Sequence, residues 1–450
     1  MPKDFCGDDG MMKQIGKYQI IRRLGKGGMG TVYKGLVPVI DKVVAIKLLD
    51  PSELMADILG EDRLREIFIF EARTMAAFNQ PFLVTAHDYD HDDQGRPFFV
   101  MDYICNNLGD MMGETFRIEQ DSRVIGAAKV LDYGRQLLAA LDFLHHNDII
   151  HRDIKPQNIL VTDEDTIKIC DFGMALVHGV AFSGPQTMQI GSPCYTPPEQ
   201  RKDPKGVDGR ADLYSVAVLL YRMLTGKLPG MQSFSLSLVN HLYDRTWDDF
   251  FAKALRWKPE ERFQSAGEML AVFAKLRLQL RHGGAEACLN PNAEQQMLPL
   301  RREPVNVCGT RARAIFAVNE LYRPVTPVCN RLEVCEETVI DLATGLTWQR
   351  QGSRYPVTFA GALQYVEQLN DQNLDGCRHW RLPTVNELLS LLENVADVFP
   401  EPLARSVHWL WSCDRHGHHE SWYVNMDMGF VGVQDVNCVN HVRAVTNTAS

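Results

Sequence analysis

The stretch DIIHRDIKPQNILVTDEDTIKICDFG, residues 148–173, constrains the fold of this chain more than any other part of the sequence. It brings Asp153, Lys155 and Asn158 close together, and Asp171 follows a short apolar run. Phosphoryl transfer requires positioning, metal charge and an acceptor for a hydroxyl proton. Asp153 can accept that proton, and the oxygens of Asn158 and Asp171 can ligate Mg²⁺. Each side chain alone would be ordinary in a surface turn, but the combination favours a catalytic site.

The glycine-rich stretch LGKGGMGTVYKG, residues 24–35, has the spacing of a phosphate-binding loop at Gly25, Gly27 and Gly30. A dinucleotide site needs such glycines between a strand and a helix. Here YQIIRRL precedes the glycines and TVYKG follows them, and both favour strands because they contain β-branched and aromatic residues. We therefore expect strand, glycine loop, strand, which suits ATP. Without further motifs, a glycine-rich hairpin that binds no ligand would be the simpler interpretation.

A lysine and a glutamate provide the next link. Lys47 ends the apolar run VAIK, and Glu71 lies in DRLREIFIFEARTMAAF, residues 62–78. A lysine that holds the α- and β-phosphates of ATP is kept in place by an opposing carboxylate, and Glu71 is the available partner of Lys47. The second stretch is predicted to be a helix, because its apolar residues form one stripe: Leu64, Ile67, Phe68, Ala72, Met75 and Ala76.

Residues 18–280 closely resemble the protein kinase family, and within it the eukaryotic-like serine/threonine kinases of bacteria. The motifs follow the family's order: GKGGMGTV, VAIK, Glu71, HRDIKPQN, DFG, YTPPEQ, ADLYS and KPEERFQS. The resemblance implies an α+β bilobal kinase fold with ATP between the lobes, and phosphorylation of serine or threonine hydroxyls on protein substrates. Asp153 would be the catalytic base and Lys155 would neutralise the γ-phosphate. Mg²⁺, or Mn²⁺ as an alternative, would be held by Asn158 and Asp171.

The resemblance also implies binding and bracing residues. The run FFVMDYI, residues 98–104, would lead into the backbone that meets the adenine, with Met101 as gatekeeper. Glu199 would pair with Arg262 at the end of the activation segment, and Asp212 would support the catalytic loop. The implied nucleotide-binding residues are Leu24, Gly25, Gly27, Gly28, Gly30, Val32, Ala45, Lys47, Met101, Asp102, Tyr103 and Ile104.

Departures from the family pattern are few. Pro197 replaces the usual alanine of the APE triplet, and Ala217 stands where a glycine is common. Every catalytic position is filled, so we expect an active enzyme. The alternative is a pseudokinase scaffold that binds nucleotide and presents the C-terminal domain. A third interpretation, a purely structural C-terminal domain, predicts equal activity when the residues after about 299 are deleted.

Regulation by phosphorylation is a further expectation. Arg152 precedes the catalytic aspartate, and in this family an arginine there often pairs with a phosphate on the activation loop. Ser192, in GSPCY, lies where the family places the residue that meets the catalytic loop in serine/threonine kinases. Thr187 is our hypothesis for the main autophosphorylation site. The candidate regulatory residues are Arg152, Ser183, Thr187, Ser192 and Thr196.

A second, smaller α/β domain is predicted for residues 334–446. TGLTW, GCRHWRLPTVNELLSL and WYVN…VRAV resemble the Lcl C-terminal domain family, which implies a C-type-lectin-like fold and a binding role for a small ligand or a protein. Thr358 is predicted to cap a helix over 359–369, and Thr384 with Glu387 forms a capping box. Gly429 marks a turn between two strands. The tryptophans of this domain could line a sugar or peptide site, but in so small a domain most of them are expected in the core: Trp348, Trp380, Trp409, Trp411 and Trp422.

Charge and composition limit the remaining classes. A net charge of −10 argues against a nucleic-acid partner. The sequence has neither a membrane span nor a signal-peptide core, so we expect a cytoplasmic protein in which the eleven cysteines are free thiols. HGHHE, residues 416–420, is interpreted as a polar loop rather than a metal site. The expected domains are a tail at 1–17, the kinase domain at 18–280, a linker and ambiguous segment at 281–333, and the second domain at 334–446.

Overall fold

The computed structural model describes residues 14–114, 120–177, 194–204, 206–230, 235–278, 299–326, 328–392 and 409–448. The chain divides into two compact units. The first runs to Gly109 and resumes at Ala127–Leu278. The second contains the described residues 110–114 and 120–126 together with those from 299 onward.

A six-stranded antiparallel sheet forms one lobe of the first unit. Its strands are β1 (Gln14–Ile15), β2 (Tyr18–Lys26), β3 (Gly30–Val37), β4 (Lys42–Leu49), β5 (Ala86–His91) and β6 (Pro97–Asp102), in the order β1-β2-β3-β4-β6-β5. On one face of β4, Val44, Ile46 and Leu48 pack in a buried cluster with residues of β6. Because side chains alternate along a strand, Ala45 and Lys47 are on the other face. The predicted strand, glycine loop and strand are β2, residues 27–29 and β3.

The helices of this lobe are α1 (Glu53–Leu59) and α2 (Glu61–Ala77). Helix α2 is the predicted helix, and its buried apolar residues are Leu64, Phe68, Ala72 and Met75. They recur at the helical period, so one side of α2 faces the interior. Ile67 is only partly buried and Ala76 is exposed, so the buried stripe is narrower than the sequence predicted.

The other lobe of the first unit is mainly helical. Its helices are α4 (Ala127–His146), α5 (Pro198–Lys202), α6 (Arg210–Thr225), α7 (Leu236–Val239), α8 (Arg245–Ala254) and α9 (Ala266–Phe273), and α3 (Leu108–Met112) precedes them at the boundary between the units. Helix α6 is buried almost throughout, including Ala217. Gly134 allows α4 to approach α9, because a Cβ atom there would lie 2.4 Å from the ring of Phe273.

The helical lobe also contains short strands and 3₁₀ turns. The strands are β7 (Asn106–Asn107), β8 (Ile149–Ile150), β9 (Ile159–Val161), β10 (Ile167–Ile169) and β11 (Leu176–Val177). They form two small sheets, β10-β9-β7 and β11-β8. The 3₁₀ turns are Pro156–Asn158, Phe172–Met174 and Pro259–Glu261.

In its described residues after 299, the second unit contains two antiparallel sheets and three helices. The sheets are β12-β13-β14-β18 and β15-β16-β17. Their strands are β12 (Leu332–Val334), β13 (Thr338–Asp341), β14 (Leu346–Gln349), β15 (Trp409–Arg415), β16 (Glu420–Asn425), β17 (Phe430–Asp435) and β18 (Val445–Asn447). The helices are α10 (Gly309–Phe316), α11 (Phe359–Gln372) and α12 (Val385–Leu389), with 3₁₀ turns at Leu374–Gly376 and Ser390–Leu392. Helix α10 and β12 begin within the segment that the sequence left ambiguous.

Local predictions for this unit are confirmed. The Thr358 side chain caps α11, which ends at Gln372 rather than at residue 369. Thr384 and Glu387 form the reciprocal capping box of α12. Gly429 has a φ of 64° in the turn between β16 and β17. Most tryptophans of this domain were expected in the core, and all five are buried: Trp348, Trp380, Trp409, Trp411 and Trp422.

The expectation that all eleven cysteines are free thiols is wrong for two of them. Cys105 and Cys438 are disulfide-bonded. The described cysteines that form no disulfide are Cys170, Cys194, Cys308, Cys329, Cys335, Cys377 and Cys413. In the predicted polar loop, His416 Nδ1 lies 2.8 Å from a Glu420 oxygen. Within the described residues, no group of three or more His, Cys, Asp or Glu side chains could hold a metal, and no helix could cross a bilayer.

Candidate active site

An ion cluster on the Lys47 face of β4 joins three separate parts of the sequence. Lys47 Nζ lies 2.6 Å from Glu71 Oε1 on helix α2 and 2.9 Å from Asp171 Oδ1. Lys47 and Glu71 are both buried. Burial of charged groups is costly unless they are paired, and here one cation meets two carboxylates.

The charges in this cluster set each other's ionisation. Burial alone would lower the pKa of Lys47, but the carboxylates of Asp171 and Glu71 raise it above its ordinary value. The Lys47 charge holds the pKa of Asp171 well below its usual range. Burial raises the pKa of Glu71 to about 7, against the opposing charge of Lys47. Asp171 is therefore anionic at neutral pH, whereas Glu71 changes charge near neutrality.

The raised pKa of Glu71 predicts a pH-dependent rate. As the pH falls through about 7, Glu71 gains a proton and its ion pair with Lys47 weakens. We expect the rate of phosphoryl transfer to fall as the pH falls through about 7. Glu71→Gln should give a lower rate that does not change with pH in this range. Initial rates from pH 5.5 to 9 measure both effects. An unchanged pH profile in Glu71→Gln would contradict this assignment. The folded state binds this proton more tightly than the unfolded chain does, because the pKa of Glu71 is raised from 4.5 to about 7. The free energy of unfolding therefore decreases as the pH rises from 4.5 to about 7.

The loop before β9 is organised around Asp153. Lys155 Nζ donates a hydrogen bond to Asp153 Oδ2 at 2.7 Å. Asn158 Nδ2 donates to the Asp153 carbonyl at 2.9 Å and to Asp153 Oδ2 at 3.0 Å. Because the amide nitrogen of Asn158 faces Asp153, its amide oxygen points the other way.

The two proposed metal ligands lie at the same end of one hairpin. Strands β9 and β10 pair with Ile159 opposite Ile169, and Cys170 N donates to the Asn158 carbonyl at 3.0 Å. Asp171 follows with a φ of 66° and a side chain that is 40% exposed. Its Oδ1 accepts a hydrogen bond from Lys47 Nζ at 2.9 Å. The amide oxygen of Asn158 and the carboxylate of Asp171, carried at the same end of this hairpin, fit the oxygen preference of Mg²⁺.

The glycine loop connects β2 and β3 in a tight turn. Gly27 N donates to the Gly30 carbonyl at 2.8 Å. A Cβ atom at Gly30 would lie 2.4 Å from the Leu48 carbonyl oxygen, so only glycine fits there. The Met29 side chain reaches Gly173, where a Cβ atom would lie 2.3 Å from Met29 Cε. Sequence reasoning missed Met29, because nothing local indicates which distant backbone it contacts.

The face of the sheet beside Lys47 carries further predicted nucleotide residues. Ala45 pairs with Met101 across β4 and β6, and Val32 of β3 pairs with Lys47. Residues paired across neighbouring strands lie on the same face, so these four side chains are adjacent. Gly25 pairs with Val32 through β2 and β3. The remaining predicted residues lie at the ends or turns of these strands: Leu24, Gly28, Asp102, Tyr103 and Ile104.

Asp212, at the start of α6, binds the backbone of the loop that contains Asp153. It is fully buried, and its carboxylate accepts from the backbone N–H groups of His151 and Arg152 at 2.9 and 2.8 Å. His145 Nε2 lies 2.9 Å from the same carboxylate. Burial tends to raise the pKa of Asp212, but the contact with His145 and the charges nearby lower it. Arg152 has a φ of 65°, so these hydrogen bonds stabilise a left-handed backbone conformation next to Asp153.

Glu199 and Arg262 form a two-point ion pair. Arg262 Nη1 and Nη2 donate to the two Glu199 oxygens at 2.6 and 2.8 Å. The Arg262 guanidinium also donates to the carbonyls of Arg256 and Trp257. The Arg262 side chain is fully buried. Because Glu199 is in α5 and Arg262 follows α8, the pair joins these two parts of the chain.

Of the five regulatory candidates, two lie within the described residues, Arg152 and Thr196. Arg152 donates to the carbonyls of Met174 at 2.7 Å and Pro204 at 3.2 Å. Thr196 is buried at 6% exposure. Ser183, Thr187 and Ser192 lie outside the described residues.

Comparisons with known proteins define the class. Residues 18–291 match the protein kinase domain, and residues 337–446 match the Lcl C-terminal domain. The first match covers more than half of the chain, which therefore belongs to the protein kinase family. Both resemblances inferred from the sequence are confirmed, and the first unit has the bilobal protein kinase fold.

The individual relatives are bacterial. The chain is 34% identical over 275 residues to the serine/threonine-protein kinase PksC of Streptomyces coelicolor, covering 56% of this chain and 48% of that protein. It is 32% identical over 280 residues to a probable serine/threonine-protein kinase of Clostridium acetobutylicum, covering 58% and 40%. A mutant kinase domain of PknI from Mycobacterium tuberculosis is 28% identical, with a TM-score of 0.44 and coverage of 58% and 95%. The chain spans about half or less of the length of these two curated relatives.

Proposed function

We propose that this chain transfers the γ-phosphoryl group of ATP to serine or threonine hydroxyls of protein substrates. The observation that carries the proposal is the convergence of Lys47, Glu71 and Asp171 in one ion cluster. The complete set of Lys47, Asp153, Asn158 and Asp171 favours catalysis over a scaffold that only binds nucleotide, because a scaffold has no need of a proton acceptor such as Asp153 beside the Mg²⁺ ligands.

Each residue has a role that its position supports. Lys47, positioned by Glu71, holds the α- and β-phosphates. Asp153 accepts the hydroxyl proton of the substrate, and Lys155 neutralises charge on the transferred group. Asn158 and Asp171 hold Mg²⁺, which when bound supplies positive charge to the phosphate oxygens. Mn²⁺ is the alternative ion, and the adenine meets the backbone of residues 102–104.

The C-terminal domain is proposed to be a C-type-lectin-like binding domain that directs or regulates phosphorylation. Its ligand would be a small molecule or a protein. The net charge of −10 argues against nucleic acid as the partner of either domain. We propose the cytoplasm as the location.

The test is transfer from γ-labelled ATP in the presence of Mg²⁺, using the full chain and a generic protein acceptor. We expect labelled phosphoserine or phosphothreonine after acid hydrolysis. Label on tyrosine alone would refute the proposed acceptor. No transfer with either Mg²⁺ or Mn²⁺, combined with measurable ATP binding, would favour the pseudokinase scaffold.

A further inference from the structure

Arg123 is a buried cation in the second unit. It lies in residues 120–126, which precede α4 in the sequence, and it is 5% exposed. Its guanidinium closes the turn after α3, donating to the carbonyls of Met111, at 2.8 Å, and Asp110. Its backbone N–H donates to the Met112 carbonyl at 2.7 Å. These contacts give the segment a defined shape around one side chain.

The same guanidinium also contacts the part of the unit that follows residue 299. Nη1 donates to the Leu321 carbonyl at 2.8 Å. The guanidinium carbon lies 3.8 Å from the centre of the Phe430 ring on β17, a close cation–π contact. Arg323 adds a second contact, because its Nη2 donates to the Val124 carbonyl at 3.2 Å. We call the Leu321 carbonyl and the Phe430 ring the guanidinium site.

The guanidinium site is rigidly built. Val431 N, next to Phe430, donates to the Tyr322 carbonyl at 2.9 Å, so the turn that carries Leu321 is hydrogen-bonded to β17. Phe430 also packs edge-on against Tyr423 of β16 at 6.2 Å. A Cβ atom at Gly432 would lie 2.4 Å from the Tyr423 ring, so glycine allows that ring to lie flat on the strand. The turn with Leu321 and the Phe430 ring are therefore also held by contacts that do not involve Arg123.

Arg123 is a buried charge, so the groups it contacts must compensate for its removal from water. Burial lowers the pKa of Arg123 only to about 10, so the side chain is charged at neutral pH. A charged group leaves water only where its hydrogen bonds and charge are compensated. Carbonyl oxygens and an aromatic face provide that compensation here, and two of these partners lie outside residues 110–126.

We propose that the guanidinium site is an internal docking site whose ligand is Arg123, and that through it the C-terminal domain governs phosphoryl transfer. This control of phosphoryl transfer rests on the proposed function. Residues 110–126 fall inside the protein kinase match, and they follow β7. Strand β7 pairs with β9, which begins directly after Asn158. Arg123 donates to the carbonyls of Asp110 and Met111 in α3, which directly follows β7, so it acts as a positioning residue for the loop that precedes β9.

The test is amide hydrogen exchange of the full chain without nucleotide, read over residues 120–126. Arg123→Met keeps the length of the side chain and removes the cation, and Phe430→Leu removes the ring and keeps an apolar side chain. We expect exchange in this segment to accelerate about tenfold or more in both variants, and Arg123→Lys to recover part of the protection. The matched control is Arg354→Met, because Arg354 lies 5.3 Å from Tyr355, a ring that is 66% exposed. Exchange in the control should stay near the wild-type rate.

The outcomes separate docking from its functional consequence. Wild-type exchange over 120–126 in both Arg123→Met and Phe430→Leu would overturn the docking site. If Arg123→Met also loses protection throughout β4, the substitution has destabilised the fold beyond the docking site. Exchange of Phe430→Leu over residues 120–126 then decides whether the docking site exists. We expect kcat to fall several-fold in both variants, with recovery in Arg123→Lys. Faster exchange with unchanged kcat would overturn the control of transfer. A wild-type chain that transfers no phosphate would refute the proposed function, while the exchange result still decides the docking site.

Discussion

Asp153→Asn is expected to reduce phosphoryl transfer by about 10²- to 10⁴-fold, the range attributed to a positioned general base. Asparagine keeps the size of the side chain and can still contact Lys155, so the loop should retain its shape. It cannot accept the hydroxyl proton. ATP affinity should change little, because the Lys47 cluster does not include Asp153. Single-turnover transfer and nucleotide titration measure the two quantities separately.

Asp249→Asn is the control for that experiment. Asp249 is an aspartate of α8 whose side chain is 73% exposed, and the variant should transfer phosphate at the wild-type rate. If Asp153→Asn retained more than about a tenth of the wild-type rate, Asp153 would not be the catalytic base.

Arg262→Met is expected to lower the free energy of unfolding by about 3–5 kcal/mol, the usual result of breaking a buried ion pair by removing one partner. The Arg262 side chain is fully buried and binds both Glu199 oxygens, so the variant leaves a carboxylate without its cation. It also removes the donors to the Arg256 and Trp257 carbonyls. Urea denaturation followed by far-ultraviolet circular dichroism measures the change.

Two further variants interpret that result. Glu199→Gln keeps a hydrogen-bond acceptor for Arg262 and should cost less than Arg262→Met. Arg245→Met is the control, because its side chain is 91% exposed and exposed ion pairs contribute little. Equal stability of Arg262→Met and Arg245→Met would show that the Glu199 pair does not hold the fold together.

The sequence predicted those features whose determinants are close together in the chain. The helical stripe of α2, the capping box at Thr384 and the turn at Gly429 each depend on a few neighbouring residues. Lys47 and Glu71 could be proposed as partners because a lysine that holds phosphates needs an opposing carboxylate, and the family resemblance supported that pairing. Periodicity alone places each on its element and says nothing about which of the two faces the other.

The sequence did not reveal contacts between distant segments. The packing of Met29 on Gly173 depends on how the glycine loop turns, and no local pattern specifies that direction. The burial of Arg123 depends on a ring more than 300 positions later in the chain. A charged residue in a polar segment predicts a solvated side chain, so its desolvation became evident only from the folded structure. The disulfide state of Cys105 and Cys438 was likewise not predictable from spacing.

The hairpin of β9 and β10 has a consequence for which sequence changes related chains can tolerate. Asn158 and Asp171 flank its two strands, so their separation depends on strand pairing and not on the length of the connecting turn at residues 162–166. Insertions in that turn leave the pairing intact. One extra residue within either strand would shift the register and turn alternate side chains to the opposite face. Length variation among relatives should therefore be tolerated at the tip of this hairpin and excluded from its strands.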